Sequence, residues 1–506
     1  MDTTVQRPIT IAILAMGGEG GGVLAEWIVD VAEHAGYVAQ MTSVPGVAQR
    51  TGATNYYVEL FPKHGARSNA LPPVLGLTPV PGDVDIVIAS ELMEAGRAVQ
   101  RGLVTPDRTT FIVSTNRVYS MTERIALGDG RVDSATLLEG CKAAAKKLIH
   151  ADMAQLAEAT GSVISAVLFG ALAGAKVLPI QRTAFEAAIH RGGVGVKESV
   201  AAFGAGFAAA EGMPMAAMIA APTPATPSPA LAPLFAQADK CPEPARTFMR
   251  AGIERLADYQ DAEYARHYFE RLGPIAEAEA RYGGGSGQLL AETARELALG
   301  MAYEDTVRVA ELKVRPSRFA RVRAEVQAAD GQIIEIAEFL HPRVQEIADT
   351  LPAGLGRWLL NSGWAHPLLE KFTKSGRVVK TSTIGGFLLM YFIAALKPTR
   401  RRSLRFAHEQ AFLQEWLRAI EKVAKIDYAL ATEIATTRTL VKGYSDTHER
   451  GRRNYDTLMQ MLPQIMETPH PASTLQGLRK AALADDTGAA LDAALKDVRL
   501  LPQAAE

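Results

Sequence analysis

Apolar residues run almost unbroken through Ile9–Leu14, with Thr10 the one interruption. A run without alternation belongs to a strand covered on both faces. The stretch Met16-Gly17-Gly18-Glu19-Gly20-Gly21-Gly22-Val23 follows it. Beyond it, Val23, Leu24, Trp27, Ile28, Val31, Ala32 and Ala35 fall on one face of a helix, and Gly36 is a suitable stop. Tyr37–Met41, Asn55–Phe61, Val84–Ala89 and Thr109–Ser114 have the composition of further strands. Ser90 is placed to cap a helix over Glu91–Gln100, ended by Gly102. Helical spacing then runs from Ser134 to Ala210. The alternation predicts an α/β domain with a doubly wound, mainly parallel, Rossmann-like sheet, whose ligands sit beyond the carboxyl ends of the strands.

The pattern changes at Ala221–Pro233, where five prolines in thirteen positions predict a semi-rigid extended linker. We therefore expect three parts: an α/β catalytic domain over 1–220, a proline-rich linker over 221–236 and a mostly α-helical domain over 237–506. Within the last part Gly283-Gly284-Gly285 breaks a helical stretch, and a long helical pattern follows Arg405. A short β element is expected around Val326–Glu335, and another at Arg377–Lys380. The apolar run Ile384–Leu396 is too short for the roughly 20 residues that span a bilayer, so it is expected as a buried helix. The basic run Arg400–Arg405 is expected on a solvated or domain-interface face.

Charge and cysteine content narrow the partners. The chain of 506 residues carries 54 Lys and Arg against 55 Asp and Glu, for a net charge of −1. That balance gives no support to nucleic-acid or membrane binding. The two cysteines, Cys141 and Cys241, are too few for a [4Fe–4S] cluster or a structural zinc. The amino terminus lacks a basic region and an unbroken apolar core, so a cytoplasmic location is expected.

Candidate chemistry gathers at two loops. The glycines Gly17, Gly18 and Gly20 precede a helix amino terminus, whose N–H groups and dipole suit an anion. The spacing misses a dinucleotide fingerprint, and the second strand ends Ala39-Gln40-Met41-Thr42 without the acid that would hold a ribose. Glu19, inside the turn, would repel an anion. The loop Pro45-Gly46-Val47-Ala48-Gln49-Arg50-Thr51-Gly52-Ala53-Thr54 is expected at the same sheet edge. Its Arg50 offers a planar fork for a carboxylate or phosphate, or for a surface ion pair. Gly128-Asp129-Gly130 is expected as a turn, and the ten histidines show no ligand spacing. Lys442, Asp446, His448 and Arg450 are candidates for an anion pocket or for an ion-pair network.

Together the two loops resemble the gamma-type domain of the 2-oxoacid:ferredoxin oxidoreductases. The matching residues are Gly17-Gly18-Glu19-Gly20 and Gln49-Arg50-Thr51-Gly52, then Glu94-Ala95-Gly96-Arg97, Asn116, Leu168-Phe169-Gly170-Ala171 and Leu178-Pro179. Ala15, Glu19, Thr51 and Ser165 depart from the family pattern. The blocks Asp258–Ala265, Met301–Asp305, Ser375–Arg377, Arg400–Arg405 and Leu440–Gly451 are similar to the carboxy-terminal extension of long indolepyruvate oxidoreductase beta subunits. The resemblance implies a beta subunit that holds no cofactor alone and is inactive alone. Its alpha subunit would carry thiamine diphosphate, Mg²⁺ and [4Fe–4S] clusters, in an α2β2 complex. The complex would oxidatively decarboxylate indolepyruvate or a related aryl 2-oxoacid, pass electrons to ferredoxin, and deliver the acyl group to coenzyme A or to water. Gln49, Arg50 and Gly52 would support the alpha subunit's active site, while Gly17, Gly18 and Gly20 would lie at a cofactor-binding turn. Two other readings stay open: an autonomous nucleotide-binding oxidoreductase and a non-catalytic scaffold subunit.

Overall fold

A computed structural model describes residues 7–45, 53–63, 73–214, 228–326, 328, 331–340, 343–373, 376–443 and 445–499. The chain divides into two compact units, 1–224 and 225–506.

The first unit is built on six strands: β1 (Ile9–Ala15), β2 (Tyr37–Val44), β3 (Thr54–Pro62), β4 (Ile86–Ala89), β5 (Thr110–Ser114) and β6 (Lys147–Ala151). They lie in the order β2-β3-β1-β4-β5-β6. The β1–β4, β4–β5 and β5–β6 pairs are parallel, whereas β3 is antiparallel to both β1 and β2. Among the described residues eight helices accompany them: α1 (Gly21–His34), α2 (Leu92–Gln100), α3 (Met121–Ile125), α4 (Ser134–Ala144), α5 (Met153–Ala159), α6 (Ile164–Gly174), α7 (Arg182–Gly192) and α8 (Val196–Ala210).

The uninterrupted apolar strands have the expected cause. Ile11, Ile13 and Ala15 of β1 pack with α1, α6, α7 and α8, while Ala12 and Leu14 point the other way into a core shared with α2 and α4. β4 divides likewise, Ile86 and Ile88 against Val87 and Ala89. Phe169 joins the larger core, with its ring centroid 5.5 Å from Trp27, 5.0 Å from Phe185 and 5.9 Å from Phe203. The α6 and α8 backbones touch at three glycines, Gly170, Gly174 and Gly206. A Cβ on Gly170 would lie 2.0 Å from Phe203 O, and one on Gly206 would lie 1.9 Å from Val167 O. The Leu168–Ala171 block is thus a packing motif, with all four residues buried.

The segment 134–210 is not helical throughout. β6 interrupts it because Ala145 turns extended after α4 and only Ile149 of Lys147–Ala151 is buried. A strand at a sheet edge, with Lys147 and His150 on it, leaves no alternating signature. Val23 and Ala35, expected on the buried face of α1, are exposed.

The second unit is largely helical around one core. Trp416, fully buried, donates from Nε1 to Ile434 O at 3.1 Å at its centre. The expected linker ends earlier than 236. Ala232–Ala238 is helical, and Leu231, Leu234 and Phe235 are buried in this core, so apolar residues between the prolines override the extended preference. The one sheet among the described residues of this unit pairs β7 (Ala337–Leu340) with β8 (Arg377–Lys380), antiparallel. β8 is where the sequence predicts it, while its partner lies beyond 326–335. The helix Ile384–Ala394 is apolar as expected but not buried, since Met390 is its one buried residue. Arg400 is buried rather than solvated. Among the described residues no single helix is long and apolar enough to cross a membrane.

Candidate functional site

The carboxyl ends of β1, β4 and β5 share one edge with the two candidate loops. β1 ends at Ala15, paired with Thr54, and Val44 at the end of β2 pairs with Asn55. Both ends of the 45–53 loop therefore stand beside the glycine turn. Gln49, Arg50 and Gly52 themselves lie outside the described residues.

The turn has a different reason for each glycine. Gly20 is the N-cap of α1 and holds φ 73°, a left-handed value that side chains resist. A Cβ there would sit 2.8 Å from Ser165 Oγ. Gly21 is pressed between β1 and β3, since its Cβ would meet Ala15 Cβ at 2.5 Å and Tyr56 Cε2 at 2.7 Å. Gly17 and Gly18 face open space. No side chain caps α1, so its first amide groups have no side-chain acceptor.

Glu19 turns inward. Its Oε2 accepts from Met16 N at 3.2 Å and from Ser90 Oγ, tying the turn to the end of β4. Burial pushes its carboxyl above the usual carboxylate range; the hydrogen bonds from Ser90 and Met16 oppose this and the nearby Glu91 adds to it. The acid expected to repel an anion thus has its Oε2 committed to Met16 and Ser90.

Ser90 does not cap α2. Glu91 does, accepting from Glu94 N at 2.5 Å through Oε1, while its Oε2 accepts from Val118 N at 3.3 Å. Burial raises the carboxyls of both Glu91 and Glu94. Glu94 forms an ion pair with Arg97 on the same helix. Asn116 O accepts from Leu92 N at 3.1 Å, and Asn116 Oδ1 accepts from Ser114 Oγ. These matches to the family pattern brace the sheet edge. Ser165, in the first turn of α6, is 1% exposed, and its Oγ has no hydrogen-bond partner. Ser90 and Ser165 complete the site, Ser90 by holding the Glu19 carboxyl rather than by capping α2, and Ser165 by packing against Gly20.

Other candidates separate. Asp129 is exposed and pairs with Arg131 at 2.6 Å. Asp446 faces Arg343 at 3.8 Å and Arg450 donates to Asp486 O at 3.3 Å, so the 442–450 block spreads its side chains over different neighbours. Burial and the Arg405 cation hold the His448 imidazole below its usual pKa. Among the described residues no group of three or more His, Cys, Asp and Glu side chains could hold a metal ion. Burial pushes the Cys141 thiol up to about 11, which disfavours the thiolate a metal needs.

In the second unit three motif blocks converge. Arg400 spans Asp305 with Nε–Oδ2 at 2.8 Å and Nη2–Oδ1 at 3.2 Å, donates from Nη1 to Tyr259 O at 2.9 Å, and lies 4.2 Å from the Tyr259 ring centroid. Arg401 lies over Tyr264 and Arg405 over Tyr303. An open cleft of about 330 Å³ beside them is lined by Gln260, Asp261, Lys397, Pro398 and Arg401.

Fold and edge define a Rossmann-like domain whose glycine turn opens at the carboxyl end of a mainly parallel sheet. Residues 10–209 match the model of the pyruvate ferredoxin/flavodoxin oxidoreductase family. Residues 245–461 match a family of unknown function (DUF6537). Three solved structures are similar to parts of the chain. A pyruvate oxidoreductase subunit of Thermotoga maritima is 16% identical, covering 41% of this chain and 96% of its own, with a TM-score of 0.28. The gamma subunit of a keto/oxoacid ferredoxin oxidoreductase from Geobacter sulfurreducens is 16% identical over 40% of this chain and 99% of its own, with a TM-score of 0.28. A 2-oxoglutarate:ferredoxin oxidoreductase from Magnetococcus marinus, solved with 2-oxoglutarate, coenzyme A and succinyl-CoA, is 14% identical over 62% of this chain and 51% of its own, with a TM-score of 0.30. No curated protein matches the chain.

Proposed function

We propose that this chain is the beta subunit of an oxidoreductase that decarboxylates indolepyruvate or a related aryl 2-oxoacid. The observation that carries the reading is the family match over 10–209, on a domain whose glycine turn is open. In this reading the alpha subunit's thiamine diphosphate, with Mg²⁺, supplies the decarboxylation chemistry and its [4Fe–4S] clusters pass electrons to ferredoxin. Two cysteines do not fit a cluster here, so electron carriage is assigned to the partner.

This chain's part is positioning. The strands flanking the Gln49-Arg50-Thr51-Gly52 loop end at Val44 and begin again at Thr54, beside Ala15, and Arg50 between them would present its fork to a carboxylate at the partner's active site. The uncapped amino terminus of α1 would face an anionic group of substrate or coenzyme A, with the Glu19 carboxyl turned away.

The test is reconstitution with the native alpha subunit and a panel of aryl 2-oxoacids. Arg50→Ala should cut turnover by about 10²-fold, the scale for loss of a positioned cation, with an unchanged melting profile. Full activity in Arg50→Ala removes the positioning role. Decarboxylation of indolepyruvate by this chain alone removes the subunit assignment.

A further inference from the structure

The cleft beside the Arg400–Tyr259 cluster is built from residues that the proposed function does not use. It measures about 330 Å³ and is lined by Gln260, Asp261, Lys397, Pro398 and Arg401. That volume lies within the range of small-molecule sites. Its walls come from two segments far apart in sequence, and hydrogen bonds fix one to the other. Gln260 donates from Nε2 to Lys397 O at 3.2 Å and accepts through Oε1 from Arg400 Nη1 at 3.0 Å. Lys397 returns the contact, donating from Nζ to Asp258 O at 3.1 Å.

Two opposite charges line this cleft without meeting. Lys397 is half-buried and forms no ion pair among the described residues. The other half-buried lysine described in this unit, Lys313, pairs with Glu338 at 2.6 Å. An ammonium has three donors, so Lys397 keeps two beyond the one on Asp258 O. The Asp258 carboxylate itself is taken by Arg308 at 2.6 Å and Arg315 at 2.9 Å. Across the cleft, Asp261 Oδ1 accepts from Tyr264 N at 2.7 Å and from Arg401 Nη2 at 2.8 Å. Its Oδ2 has no partner among the described residues. Each charge is thus tethered by its other bonds and retains free hydrogen-bonding capacity. A simple carboxylate would suit Lys397 but meet Asp261, and a simple amine would suit Asp261 but meet Lys397 and Arg401. A zwitterion satisfies both, with its carboxylate on Lys397 Nζ and its ammonium on Asp261 Oδ2. The Pro398 ring and the aliphatic stems of Lys397 and Arg401 supply apolar wall for a side chain.

We infer that this cleft binds a free α-amino acid with a large apolar side chain. Isothermal titration of the full chain with L-phenylalanine should show saturable binding. Hydrocinnamate lacks the ammonium and phenethylamine lacks the carboxylate. Each should bind at least about tenfold more weakly, the scale for one lost charge-assisted hydrogen bond. Lys397→Met keeps the stem and removes the cation; it should weaken L-phenylalanine by about tenfold or more and leave phenethylamine no weaker. Asp261→Asn keeps the Oδ1 that caps the helix Ala262–Tyr282 and removes the charge; it should weaken L-phenylalanine and leave hydrocinnamate no weaker. Melting profiles show whether each variant folds, and the comparison of the three compounds on the wild type needs neither variant. No saturable heat with L-phenylalanine at millimolar concentration overturns the inference. So does equal binding of the three compounds, or wild-type affinity for L-phenylalanine in a folded variant. None of these readouts uses the alpha subunit or turnover, so failure of the proposed activity leaves the cleft assignment standing.

Discussion

Replacing Gly20 with Ala tests the geometry of the glycine turn with a single methyl group. Two costs add. The first is conformational: φ 73° at Gly20 is a left-handed value, and a non-glycine residue there costs roughly 1–2 kcal/mol. The second is steric. The new Cβ would lie 2.8 Å from Ser165 Oγ and 3.3 Å from Ser165 Cβ, and overpacking of this kind costs about 1–3 kcal/mol. Gly20→Ala should therefore lose about 2–5 kcal/mol. The two parts can be separated. Ser165→Ala removes the Oγ at 2.8 Å and leaves the Cβ at 3.3 Å, a contact that a few tenths of an ångström relieves. That hydroxyl is buried without a hydrogen-bond partner, so Ser165→Ala alone should be neutral or stabilising by about 1 kcal/mol. In the double variant the steric share should vanish and the conformational share remain. Calorimetric melting of the four proteins in the cycle gives the coupling energy, expected at about 1–3 kcal/mol in favour of the double variant. Strictly additive losses, or a Gly20→Ala loss below about 0.5 kcal/mol, would show that α6 does not press on the turn.

Two further substitutions probe buried charge. Glu19 has its carboxyl pKa raised by burial, so folding favours its protonated form; that contribution is complete below the unfolded pKa of about 4.3 and is lost as pH rises through the folded value. Glu19→Gln should then be more stable than the wild type at neutral pH, with the gap closing below about pH 4; a wild type that stays the more stable at neutral pH refutes this. Arg400→Met leaves Asp305 buried without its bidentate partner and should cost about 3–5 kcal/mol. Adding Asp305→Asn, which removes the charge and keeps an acceptor for Arg308 N, should recover most of that loss, and a double variant no better than the single one would mean that Arg400 acts through Tyr259 and Gln260.

The first unit was legible because its strands are covered on both faces. Continuous apolarity in Ile11–Ala15 and Ile86–Ala89 has one economical explanation, and the sheet supplies it. β6 was not legible, because an edge strand with Ile149 as its one buried residue needs only its neighbour β5 to form. The exposed helix Ile384–Ala394 shows the opposite failure. Apolar composition reports that a surface avoids water, not which molecule covers it. Arg400 was misplaced for a related reason: its partners Asp305 and Tyr259 are 95 and 141 residues away in sequence, and nothing local announces them.

Glu19 shows why the candidate site could be located but not interpreted from residue types. An acid in a glycine turn reads as a barrier to anions only if its charge faces the ligand. Here its Oε2 is held by Met16 N and Ser90 Oγ, and burial raises its pKa. What remains toward open space is backbone, from Gly17 and Gly18, together with the uncapped first turn of α1. That surface has direction and partial positive charge but no titratable group of its own. It can orient an anion, and it has nothing with which to accept a proton or an electron. A domain with such an edge is suited to completing a reactive centre held by another subunit, as the proposed function requires.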